Sequence, residues 1–232
     1  MSENLVVRVT DGSFSCHVER PDTPGAYPVI IVLQEIFGVN EGIRSIARNY
    51  AMKGYIAVAP DLFWRSGPGL SLSESTEGDW NKGFELYRAF DMDCGVRDIA
   101  ATIAAARTLA GANGKVGVTG YCMGGLLTFL SAARTDADAF VAYYGGGTDR
   151  YLDEAYEIRA PLLYHLAGAD AYIGLSAQDA ILAALEPLPN AWVHIYPGRD
   201  HAFARPNGSH YDENDATLAI RRTDDFFLRH LR

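Results

Sequence analysis

The sequence has little of what would mark a secreted, membrane or metal-binding protein. Its 232 residues include only three cysteines, Cys16, Cys94 and Cys122, an odd number with no CxxC pair and no neighbouring histidine at metal-ligand spacing. Neither a disulfide framework nor a zinc site is indicated, and reduced thiols in a reducing compartment are the simpler reading. No stretch approaches the roughly 18 consecutive apolar residues of a membrane span. The first residues, MSENLVVRVTDG, lack the basic segment followed by an apolar one that marks a signal peptide. The chain is therefore read as soluble and cytoplasmic, with no membrane partner. Positive charge is scarce too: 20 Lys and Arg against 29 Asp and Glu give a formal net charge of -9. That sign argues against sequence-independent binding to nucleic acid. It does not exclude an anionic small substrate, because one buried arginine can outweigh a distant field.

What is present is an ordinary globular composition, 48% hydrophobic and 21% charged. Residues 1–232 fit a single domain able to build its own core. The opening, Leu5 to Arg20, alternates around Asp11-Gly12, as two antiparallel strands joined by a tight turn do. Pro28 to Leu33 is a β-branched run with no polar face, which suits a strand covered on both sides. Further short apolar runs fall at Ile56 to Val58, Val116 to Thr119, Ala139 to Tyr144, Pro161 to Leu166 and Trp192 to Tyr196. Between them, helical periodicity covers Ile43 to Met52, Cys94 to Leu109, Leu126 to Ala133, Ala177 to Leu185 and Asp215 to Leu231. Alternation of this kind predicts an α/β fold with a mostly parallel, doubly wound sheet and flanking helices. The irregular stretch Ser66 to Lys82 reads as an excursion ahead of a helix that ends near Phe90. Ligands of such sheets bind outside the carboxyl ends of the strands, so residues just after each strand carry the interest.

Directly after Val116 to Thr119 and directly before a helix stands Gly120-Tyr121-Cys122-Met123-Gly124. This is the strand-turn-helix nucleophile elbow of α/β-hydrolases, with cysteine where serine is usual. The nucleophile sits in a strained turn, so the positions two residues away must be small, and both are glycine. A helix N-terminus also favours thiolate over thiol. A buried structural cysteine at a tight turn is the competing reading, and it is the one given to Cys16 and Cys94. A nucleophile needs a base, and the base an orienting group. Asp170 follows the strand ending at Leu166, and His201 follows the strand ending at Tyr196. Their order and spacing, 48 positions and then 31, match one βα unit between successive members of a Cys122, Asp170, His201 triad.

Other residues were weighed against these. Asp200 adjoins His201 and reads as loop-shaping. His17, His165 and His194 lie in predicted strands, and His210 and His230 have no catalytic partner in view. The fold takes one oxyanion-hole amide from the residue after the nucleophile, here Met123, and one from the loop after the first long strand, here Ile36. Glu35 is either a solvated loop carboxylate or a hydrogen-bond partner of the thiol. Arg205 is either a surface charge or a holder of a substrate carboxylate.

The segments Gln34 to Asn40, Ala59 to Leu62, Ala89 to Met92, Gly120 to Gly125, Tyr143 to Gly145 and His201 to Arg205 together resemble the dienelactone hydrolase family, in its order and over nearly the whole chain. The resemblance implies an enzyme of the α/β-hydrolase fold that opens a conjugated, carboxylate-bearing lactone to maleylacetate during aromatic breakdown, with no metal or organic cofactor. It implies that Cys122 is the nucleophile, His201 the base and later acid, and Asp170 the orienting carboxylate. Glu35 would hold the resting thiol and swing towards Arg205 when substrate binds, and Arg205 would grip the substrate carboxylate. Tyr143 joins the substrate contacts on the same ground. The pattern departs where the family has a second arginine and a tyrosine, since Trp80 and Phe84 stand there, and where a serine often follows the histidine, since Ala202 stands there. Lys82 is either a substitute for the missing charge or a solvated side chain. Lost polar contacts can move the preferred substrate, so a less polar ester, thioester or lactone is the alternative. A non-catalytic member that binds a small ligand is a reading from a different class, and a thiol oxidoreductase is weaker for want of a nearby resolving cysteine.

Overall fold

The computed structural model describes residues 3–206 and 208–232, and the chain forms two compact units, Met1–Val118 and Thr119–Arg232. In the first, β1 (Glu3–Val9) and β2 (Gly12–Glu19) make an antiparallel hairpin with Val9 opposite Gly12. Its turn is Thr10 and Asp11, one position ahead of the Asp11-Gly12 turn that the sequence suggests. β2 pairs antiparallel with β4 (Ile56–Pro60), and β4 pairs parallel with β3 (Tyr27–Leu33). Every residue of β4 and all of β3 after Tyr27 is buried, which is why these strands are apolar without alternation. Cover comes from α1 (Glu41–Met52) and α3 (Met92–Arg107), both packed on β3 and β4. Between them runs α2 (Glu77–Ala89), which takes over the last residues of the stretch read as irregular.

β5 (Ala112–Tyr121) leads into the second unit. There β6 (Ala139–Tyr143), β7 (Leu162–Ala167) and β8 (Ala191–Tyr196) pair in parallel in that order. Helices α4 (Met123–Arg134), α5 (Leu175–Leu185) and α6 (Glu213–Leu231) pack on them, with a 3-10 helix at Thr148–Glu157 that the apolar pattern does not announce. α4 is buried at every position from Met123 to Ala132, which accounts for a sequence with no polar stripe. The class is α/β with a mostly parallel sheet and flanking helices, as the alternation predicts. No helix among the described residues is long and apolar enough to cross a membrane.

Candidate active site

Cys122 sits between the end of β5 and the first turn of α4, at φ 56° and ψ -116°. Its N–H donates to the Tyr143 carbonyl (3.1 Å), and its own carbonyl accepts from Gly125 (2.9 Å) and Leu126 (3.2 Å). The turn is therefore pinned on one side to the end of β6 and on the other to the helix. The glycines around it are required by space. A Cβ on Gly120 would lie 2.1 Å from the Gly124 carbonyl oxygen, and one on Gly125 would lie 2.2 Å from that of Tyr143. Cys122 is half-buried, and it occupies the N-cap of α4 with Met123 as the first helical residue. The first N–H groups of a helix have no partner within it, so the sulfur and any oxyanion beside it face donors and the positive end of the dipole.

His201 and Asp170 are brought together as the sequence order predicts. The ring Nδ1 lies 2.9 Å from one Asp170 oxygen and 3.1 Å from the other. The same carboxylate accepts from the amides of Tyr172 (2.8 Å) and Ile173 (3.1 Å), which fix it in its buried place. The two loops that carry them are stitched by Ala169 N–H to Arg199 carbonyl (2.8 Å). Asp200 shapes its loop as expected, accepting from the amides of Ala171 (2.8 Å) and His201 (2.6 Å). His201 Nε2 is buried and, with Nδ1 on Asp170, is the ring nitrogen left to meet the Cys122 sulfur, which hydrogen-bonds the ring. Burial opposes charging of this ring, but a charged Cys122 and the Asp170 carboxylate outweigh it and raise the imidazolium to about 10. A nucleophile, a base coupled to its charge and an anchored orienting carboxylate are the parts that acyl transfer through a covalent intermediate needs.

Sequence reasoning missed the aromatic clamp on the histidine. Tyr144 meets the His201 ring edge-on at 5.1 Å and Tyr172 does so at 4.9 Å. His210 was set aside, yet its Nδ1 bonds the His201 carbonyl at 3.1 Å. Tyr143, expected among the substrate contacts, is 1% exposed, and its hydroxyl is taken by Thr223 (2.6 Å). It contributes the carbonyl that holds Cys122, while its ring stacks under Tyr121 at 4.6 Å. Ala202 is buried at φ 63°, and Arg205 is partly exposed with its amide on the Ala202 carbonyl (2.9 Å).

In the first unit, Glu35 and Ile36 follow β3 and are both buried. α2 closes on this loop: a Cβ at Gly83 would lie 2.9 Å from the Ile36 carbonyl oxygen. Trp80 packs edge-on against Phe37 at 4.9 Å and tilts against Phe84 at 5.8 Å, so both substituted positions join an aromatic cluster beside Glu35 and Ile36. Lys82 pairs with Glu85 at 3.0 Å on the exposed side of the helix. Cys16 is buried, its thiol pushed up to about 12 chiefly by that burial. Cys94 is not buried as the sequence reading had it. It lies half-exposed on the first turn of α3, with Arg97 donating to its sulfur.

Residues 14–231 match the dienelactone hydrolase family. A carboxymethylenebutenolidase of Pseudomonas putida is 38% identical, the match covering 97% of this chain and 96% of that protein. Carboxymethylenebutenolidase 1 of Cupriavidus pinatubonensis is 34% identical over 91% of this chain and 90% of its own. A crystal structure from Klebsiella pneumoniae, provisionally named a dienelactone hydrolase, superposes with a TM-score of 0.87 at 27% identity, covering 99% of both chains.

Proposed function

The chain belongs to the dienelactone hydrolase family and is a carboxylic ester hydrolase of the carboxymethylenebutenolidase type, and from that premise we propose that it opens dienelactone to maleylacetate with Cys122 as nucleophile, His201 as base and acid, and Asp170 as orienting group. The observation that carries this reading is the strained Cys122 turn beside a buried His201–Asp170 pair whose ring is coupled to the Cys122 sulfur by hydrogen bond and charge. With its proton already on His201 Nε2, the Cys122 sulfur attacks the lactone carbonyl and forms a C–S bond. The oxyanion is held by the Met123 amide and, as the resemblance implies, by that of Ile36. Collapse breaks the ring C–O bond and releases an enolate, which takes the proton from His201 on carbon and becomes the ketone of the product. Water, losing a proton to His201, then cleaves the thioester and restores the thiol. Glu35 as partner of the resting thiol and Arg205 as the grip on the substrate carboxylate rest on the resemblance alone. The assignment of all 232 residues to one catalytic domain, argued from chain length, is part of the same proposal.

A second reading, a less polar ester or lactone as substrate, is favoured by one observation. Trp80 and Phe84 form a half-exposed aromatic pair over the buried Phe37, where the family pattern has an arginine and a tyrosine. The deciding experiment is hydrolysis of cis- and trans-dienelactone beside p-nitrophenyl acetate, with Cys122→Ala as the control. Efficient lactone opening that falls by about 10³-fold or more in the variant supports the first reading. Ester cleavage without lactone opening supports the second. Activity that survives the substitution, or full alkylation of Cys122 by iodoacetamide, overturns both.

A further inference from the structure

β8 and α6 of the second unit enclose an open cleft of about 180 Å³ lined by Trp192, His194, Arg222, Phe226, Arg229 and His230. Residues 192 and 194 share a face because strand side chains alternate, and 222, 226 and 229 return along one side of the helix. None of these residues has a part in the proposed hydrolysis. On a chain whose net charge is -9, the cleft gathers two guanidinium groups. Neither Arg222 nor Arg229 is ion-paired among the described residues, and Asp225 is the acidic member of the lining. The crowding of cations shows on the neighbouring histidines. Burial first and then Arg222 hold His194 below its ordinary value, and burial and then Arg229 do the same to His230.

Arg222 is also fixed in place. Its Nη1 donates to the Tyr196 hydroxyl (3.1 Å), and the guanidinium lies 5.4 Å over the Tyr196 ring. That hydroxyl lies 2.9 Å from His165 Nδ1, and His165 Nε2 lies 3.0 Å from Thr223 in the core. An arginine already ordered by such a chain loses little freedom when it binds a ligand. The rest of the lining is largely aromatic: Trp192, 42% exposed, stands 5.9 Å from Phe226 and 6.1 Å from His230, and Phe226 stands 4.6 Å from His230. An inorganic anion would leave the exposed indole unused, and an apolar ligand would leave two cations uncompensated. An aromatic carboxylate answers both, with its carboxylate on the guanidinium forks and its ring against Trp192.

We propose that this cleft is a second ligand site, distinct from Cys122, that binds a small aromatic carboxylate between Arg222, Arg229 and Trp192. The test is a titration of the intact protein with benzoate, followed by the NMR signals of the His194, His230 and His201 rings and by tryptophan emission. The expected result is a saturable movement of His194 and His230, with both titrating at higher pH once the anion offsets the arginines. Half-saturation falls on the order of 1 mM, as befits so small a ligand. Arg229→Gln, a change on the exposed side of α6, weakens binding about tenfold or more. The emission response disappears in Trp192→Phe, and acetate leaves emission unmoved. Movement of His201 alone, equal binding by Arg229→Gln, or phosphate binding as tightly as benzoate each overturns the proposal.

Discussion

A side chain held at positive φ costs on the order of 1–3 kcal/mol, and three non-glycine residues among those described are held there: Cys122, Tyr144 and Ala202. One is the candidate nucleophile, one puts its ring on His201 and one follows His201, so the strain gathers where the chemistry is proposed. Gly120 shows how the turn is enforced. Its missing Cβ leaves room for the Gly124 carbonyl, a backbone atom inside α4 that cannot move aside. Gly120→Ala is expected to lower stability by about 2–4 kcal/mol, read as a shift of the urea midpoint. Gly146→Ala, where an added Cβ meets nothing within 4 Å, should change it by less than about 1 kcal/mol. Equal effects would mean that the turn tolerates a larger residue. The charge on His201 gives a second residue-scale prediction. Since a charged Cys122 is the largest influence raising that ring, Cys122→Ala should lower its titration from about 10, measured on the imidazole signals by NMR. Asp170→Asn should lower it too and reduce kcat by about 10²–10⁴-fold, because the ring loses both its orienting acceptor and a stabilising charge. Cys122, Asp170 and His201 were legible in the sequence because each is a reactive type just past a strand. Tyr144, Tyr172 and His210 were not, because their part is orientation, which composition and spacing do not encode.

Helix positions were legible from apolar periodicity, but the beginnings of α1, α3 and α6 were read late for one physical reason. The periodicity starts at Ile43, Cys94 and Asp215, and each of these is the residue whose amide is capped from outside the apolar pattern. Asn40 accepts from Ile43 (3.2 Å), Asp91 from Cys94 (2.9 Å) and Asp212 from Asp215 (3.0 Å). A polar first turn carries no hydrophobic signal, although its cap is written in the sequence. β5 was likewise read four residues short at its start, since Ala112 to Lys115 lack the apolar run that begins at Val116, and two short at its end. The 3-10 helix at Thr148–Glu157 buries only Thr148 and Ala155, too little to produce a pattern. The cap on α3 is testable: Asp91→Ala should cost about 1 kcal/mol of stability, measured by urea unfolding, while Asp91→Asn should retain most of it. A loss confined to activity would instead give Asp91, which stands in the Ala89 to Met92 motif, a role in the site.

At the scale of the whole chain, one buried group that no catalytic step uses is His165. It lies fully buried on β7, with Tyr196 on Nδ1 (2.9 Å) and Thr223 on Nε2 (3.0 Å), and Thr223 in turn holds Tyr143 (2.6 Å) under the Cys122 turn. The sequence showed a histidine in an apolar strand, a pattern open to a core or a surface residue, and the structure buries it. Its partners come from β6, β8 and α6, up to 58 positions away, which spacing along one chain cannot reveal. Burial above all, then His194 and Arg222, hold its titration well below the usual 6.5. The unfolded chain therefore binds a proton near pH 6.5 that the native state refuses. The stability tied to a neutral His165 is complete above that value and is lost as pH falls towards the native one, by about 1.4 kcal/mol per pH unit for each proton. Urea midpoints from pH 7.5 down to 5 should thus fall in the native protein. His165→Gln, which keeps a hydrogen-bonding side chain but no titration, should be less stable at pH 7.5 and yet lose less over the same range. Parallel slopes for the two proteins would shift the acid sensitivity to His194, His230 or the carboxylates and leave His165 a purely steric part of the core.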